Sequence, residues 1–194
     1  MLTYLRPRLL ILGAMVAVAS ITWTAIAWAG GTHVTPVRAI LGGSLHAGVL
    51  GDPMPIEPGV HIIPPARGHW AGFPPTSGEH YSIPGVAPAP WGFTGSRMPP
   101  EVWVHNLEHG GVVILFSCTS ECAQYSHDIQ ALIAAAPSDP HFHEVKLLDA
   151  PLDMPGHPFA VVAWGWRMWL DHWDPGPVLD FYAQHVDQGP EWLP

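Results

Sequence analysis

The sequence predicts an α/β (α+β) fold, in which a small mixed sheet is built in the order strand, helix, strand, strand, helix. A proline-rich wrap and one N-terminal transmembrane helix precede it. Three observations carry this reading. Val112 to Phe116 is an unbroken apolar, β-branched run that leads into a helical repeat. Two further strand-like stretches, His143 to Asp149 and Phe159 to Leu170, are divided by a Pro/Gly loop. Finally, Arg6 and Arg8 precede Leu9 to Ala29, whose apolar and small residues are interrupted only by Ser20, Thr22 and Thr24.

That N-terminal run is long enough to cross a bilayer, which takes about 20 residues. The two arginines would hold the N-terminus in the cytoplasm and send everything after Gly30 to the extracytoplasmic side. Ala25-Ile26-Ala27 and Ala27-Trp28-Ala29 also have the small-x-small form of a signal-peptide cleavage site. A retained anchor is favoured over a removed signal peptide because the run exceeds the usual signal core of about 7–15 residues. Trp23 and Trp28 sit where interfacial aromatics are expected. The organisation expected is an anchor or signal peptide over 1–31, a Pro/Gly-rich tether over 32–59 and an extracytoplasmic, periplasmic globular domain over 60–194.

At 194 residues the chain has room for one compact domain with a core. Sixteen Asp and Glu stand against seven Lys and Arg, for a net charge of -9. Nucleic acid demands a basic surface, so it is excluded as a partner. An acidic, Lys-poor surface suits cations. The 13 histidines fit that inference, since neutral imidazole is the commonest protein metal ligand.

Thr32 to Pro100 is rich in proline and glycine with no helical period, and reads as turns and short strands laid across the domain. His61, His69 and His80 punctuate it, either as ligands or as hydrogen-bonded structural histidines. After the Val112–Phe116 strand, Thr119 or Ser120 can cap a helix, with Glu121 in its first turn. Cys122, Tyr125, Ile129, Leu132, Ile133 and Ala136 recur at helical spacing until Pro137 ends it. A last helix starts after Asp174-Pro175, with Val178, Phe181, Tyr182 and His185 on one face. A thioredoxin-like core shares this order, and places redox cysteines where Cys118 and Cys122 lie. The Cys-x3-Cys spacing also resembles the Sco branch of copper chaperones, although Ala123 stands where that motif carries proline.

The chemistry concentrates in Val104 to Cys122. His105 and His109 are four apart, close together on one face if helical. If extended, their Cα atoms would be roughly 13 Å apart at about 3.3 Å per residue, and only a bulge or turn at Gly110-Gly111 would allow one ion to bind both. The His-Glu-x-x-His pattern of a zincin is absent, so Glu108 reads as a carboxylate that orients an imidazole rather than as a general base. Structural hydrogen bonding to the wrap is the alternative for this histidine pair. Cys118 and Cys122 are the only cysteines and form either a disulfide or a thiolate pair suited to copper(I) or zinc.

Four segments together resemble one family, the bacterial domain of unknown function 3105. They are Pro74 to His80, Val104 to Val112, Ala163-Trp164-Gly165 and Gly189-Pro190-Glu191, with Glu79 where the family often has proline. The resemblance implies no activity, but it implies that His80, His105, Glu108 and His109 belong to one shared pattern. The leading expectation is a membrane-anchored domain binding copper or zinc through His80, His105 and His109, supported by His61 and Glu108, with no catalytic residue assigned. The competing expectation is an accessory subunit of a respiratory or photosynthetic membrane complex, with Trp164, Trp166, Trp169 and Trp173 at its contacts unless they are core. A thiol oxidoreductase or copper chaperone using Cys118 and Cys122 is the third.

Overall fold

The computed structural model describes residues 48–117 and 122–194. The expected anchor or signal peptide and the thiols of Cys118 and Cys122 lie outside the described residues. Among those described, no helix is long and apolar enough to cross a membrane.

The centre is β4 (Val112–Phe116), buried along its whole length. Its alternating side chains face two different cores, as a strand's period of two requires. Val112, Ile114 and Phe116 join Ile129, Leu132 and Ile133 of α2 (Cys122–Ala135) and Val178, Phe181 and Tyr182 of α3 (Pro175–His185). Val113 and Leu115 face Trp103, Val104 and Leu107 of α1 (Pro100–Glu108). The sheet is therefore the middle of three layers. Its five strands run in the order β1 (Asp52–Pro53), β7 (Trp166–Leu170), β6 (Phe159–Ala163), β4 and β5 (Leu147–Pro151). β4 and β5 are parallel and the other pairs antiparallel, so the sheet is mixed as expected.

From β4 onward the predicted order holds, with two differences. Phe159 to Leu170 is a hairpin rather than one strand, because Gly165 at φ 72° turns the chain between β6 and β7. The second strand starts at Leu147, since His143 takes a positive φ of 62° that no strand accommodates. α3 begins as expected: Asp174 accepts a hydrogen bond from the Gly176 N–H at 3.0 Å, with Pro175 in the first turn.

α1 was one of two alternatives in the sequence, and the structure selects it. Pro100 occupies the first turn, where its missing N–H costs nothing, and Glu101 favours the positive helix end. The helix stops at a Schellman motif, in which Gly110 N–H donates to Leu107 O at 3.0 Å and Gly111 N–H to Asn106 O at 2.9 Å. Gly110 adopts φ 79°, and a Cβ there would lie 2.7 Å from the Asp187 Cα. Gly110→Ala should therefore destabilise the protein by more than about 1 kcal/mol in a urea melt. A change within a few tenths would show that the close approach relaxes freely.

The Pro-rich wrap covers the side of α1 turned away from the sheet. β2 (His61–Ile62) and β3 (His80–Tyr81) form a two-stranded parallel ladder, in which His61 pairs with His80 and Ile62 with Tyr81. Asn106 clamps the wrap by donating to Ala89 O at 2.8 Å and accepting from Ala89 N at 2.9 Å. Glu101 to Glu108 are in consequence buried on every side.

Candidate metal centre

Burying α1 between sheet and wrap gives each of its polar residues a specific partner: Asn106 bonds Ala89, Glu101 accepts from the Gly68 N–H, and the remaining three cluster. His105, Glu108 and His109 follow i, i+3, i+4 spacing and share a helix face. The β2–β3 ladder sets His61 and His80 opposite them. Candidate ligand atoms of His61, His80, His105 and Glu108 all lie within 4.8 Å of one another, as do those of His105, His109 and Glu191. The four imidazole rings form a chain, with centroids 4.8 Å apart for His61 and His80, 4.9 Å for His80 and His105, and 4.7 Å for His105 and His109.

Two of the histidines have their tautomers set by the backbone. His80 Nδ1–H donates to Gly78 O at 2.8 Å, and His105 Nδ1–H donates to Tyr81 O at 2.6 Å. Each ring then offers Nε2 as its remaining lone pair, the arrangement by which proteins orient a metal-ligating histidine. His80 Nε2 lies 2.9 Å from Glu108 Oε2 but off the hydrogen-bond line, so the fully buried nitrogen has no hydrogen-bond partner. His61 Nε2 approaches the same oxygen at 3.4 Å. Glu108 Oε1 is packed against Gly59, where any Cβ would collide with it. His61 is the open edge of the group, its side chain 48% exposed while that of Glu108 is 6% exposed.

The electrostatics favour the neutral form of His105 and His109 and the charged form of His80. Burial pulls His105 down to about 4, with His109 and His80 adding to the effect and the Tyr81 carbonyl opposing it. Burial also lowers His109. For His80, burial pulls downward, but the Glu108 carboxylate and the Gly78 carbonyl outweigh it and raise the pKa. Burial pushes Glu108 up, and the adjacent His80 and His61 reverse that and lower it. For the metal-free protein the signs follow. His105 and His109 bind protons more readily unfolded, so stability should fall as pH drops from about 6.5 toward 4. His80 contributes in the opposite sense and His185, lowered by burial, in the same sense. Urea melts at pH 7.5 and 5 should show the loss, and equal stability at both would contradict these burial effects.

A third group, Asp139, His141 and Asp187, has similar composition but a different role. Its cation is already present: Lys146, fully buried, places Nζ 3.0 Å from Asp187 Oδ1. Asp139 accepts from the backbone N–H groups of His141, Phe142 and Glu144. Burial opposes the charge on Asp139, and those donors overcome it to bring its pKa to about 2. This group is a clamp. Lys146 also donates to His109 O at 3.1 Å and Leu193 O at 2.6 Å, tying the C-terminal segment to the end of α1.

The structure thus gathers His61, His80, His105, Glu108 and His109, while His69 stands apart, paired with Glu79 at 3.3 Å. In the sequence Glu191 stands only as part of the closing Gly189-Pro190-Glu191 motif. It reaches His109 because its N–H donates to Glu108 O at 3.1 Å, and no local pattern announces that contact. Trp164 is buried, while Trp166 and Trp173 pack on the α2–α3 core and Trp169 on the α1 core.

Residues 66–192 match the family model described as Protein of unknown function (DUF3105), a span containing every residue of the cluster except His61. No curated protein and no solved structure matches the chain.

Proposed function

We propose that this chain, which belongs to the DUF3105 family of proteins of unknown function, is a metal-binding domain that holds one divalent transition ion on His61, His80, His105 and Glu108. One observation carries the reading: two buried histidines donate Nδ1–H to backbone carbonyls and so direct their Nε2 lone pairs toward a buried carboxylate. His80 Nε2 and Glu108 Oε2 face each other at 2.9 Å off the hydrogen-bond line, a spacing at which both atoms can ligate one ion in place of a proton. Three imidazoles and one carboxylate, the set found among the described residues, suit zinc(II) or copper(II) better than copper(I).

The setting we propose is the extracytoplasmic side of a membrane, with residues 9–29 as a single-pass anchor. The order β5-β4-β6-β7, with β4 and β5 parallel, supports a thioredoxin-like core. The role of an accessory subunit in a membrane complex competes with metal binding, and proteins co-purifying with the full chain but lost on deleting residues 1–31 would favour it.

The direct test is elemental analysis by plasma mass spectrometry of untagged protein from its native membrane, beside His80→Ala/His105→Ala. We expect about one ion or more per chain, absent in the variant. No metal in either sample, together with no uptake of added zinc, would end this reading.

A further inference from the structure

The ligands outnumber what one ion needs. His105 has a single free nitrogen, because Nδ1–H is committed to Tyr81 O. It belongs to both groups, one with His61, His80 and Glu108 and the other with His109 and Glu191. Beyond it, His109 is 7% exposed, and neither ring nitrogen makes a hydrogen bond of ordinary geometry, although the Pro194 backbone lies close enough to favour its charged form. Its Nε2 lies 3.4 Å from Glu191 Oε2. A buried imidazole left in that state costs free energy that a bound cation would recover.

Resting on the metal-binding reading, we propose that the centre takes two ions, with His61, His80 and Glu108 holding one and His105, His109 and Glu191 holding the other. Each set supplies two imidazoles and one carboxylate. Three protein ligands leave each ion an open position, the pattern of reactive rather than closed sites. His105 serves the first ion when it binds alone and passes to the second when both are present. The second ion should therefore bind more weakly. It is also the one that depends on the C-terminal segment, since Glu191 is positioned by the backbone bond to Glu108 O and by the Lys146 clamp. Gly189 allows that approach, because any side chain there would strike Glu108 O and Gly110.

The experiment is titration of chelator-stripped, detergent-solubilised full-length chain with zinc(II), read as ions per chain by native mass spectrometry. The expected result is two ions in the wild type, bound in two steps. His109→Ala/Glu191→Gln should bind one, and that retained ion shows the variant to be folded. One ion in the wild type overturns the two-ion proposal and leaves the metal-binding reading intact, whereas none overturns both. Two ions or none in the variant would also overturn the division of ligands. As a second readout, the copper(II)-loaded wild type should give a spin-coupled paramagnetic resonance spectrum and the variant an uncoupled one; an uncoupled wild-type spectrum at two ions per chain counts against the proposal.

Discussion

Glu108→Gln should lower zinc affinity by about 100-fold or more, beyond the roughly 10- to 100-fold lost when a group that merely orients a ligand is removed. The substitution preserves the shape of the side chain whose Oε1 packs against Gly59. It removes the negative charge that faces His80 at 2.9 Å and His61 at 3.4 Å, replacing one ligand oxygen with a weaker donor. The metal-free variant should also be less stable by about 1–3 kcal/mol near neutral pH, because His80 loses the carboxylate that favours its charged form. Chelator competition and urea melts read the two effects separately. Unchanged zinc affinity with lowered stability would make Glu108 a structural carboxylate and remove the centre's only anionic ligand in the first set.

Lys146→Met should cost about 3–5 kcal/mol, the usual penalty for leaving one charge of a buried ion pair without its partner. Lys146 is fully buried and Asp187 nearly so, and the ammonium also holds His109 O and Leu193 O and lies 4.0 Å from the Phe142 ring. The double substitution Lys146→Met/Asp187→Asn should recover part of the loss, since a buried pair replaced on both sides is often close to neutral. Chemical denaturation decides this; a single-variant loss below about 1 kcal/mol would show that Asp187 finds compensation from His141, 2.7 Å away. Because the clamp fixes the chain near Glu191, Lys146→Met should also weaken the second zinc step more than the first.

Much of this architecture is legible from residue type and spacing. The apolar Val112–Phe116 run specifies a strand buried on both faces, and Asp174-Pro175 starts a helix with its apolar face already ordered. The motif around His105 and His109 was readable as a polar site without its geometry, because four residues apart means neighbours in a helix and separation in a strand. The signals that decide for a helix are present in Pro99-Pro100-Glu101 and Gly110-Gly111. They are weak on their own, because a buried helix of nine residues takes its stability from the layers on either side.

The sequence by itself determined the mixed α and β composition, the strand at the centre, the final helix and the histidines and glutamate from which a metal site would be built. Only the tertiary structure decided which of them meet. His61 faces His80 because a parallel ladder sets their register, and Glu191 reaches His109 because a backbone hydrogen bond returns the chain to the end of α1. Local propensity acts over a few residues, whereas these contacts join residues far apart in the chain and form only once burial of α1 between sheet and wrap outweighs the entropy of closing those loops.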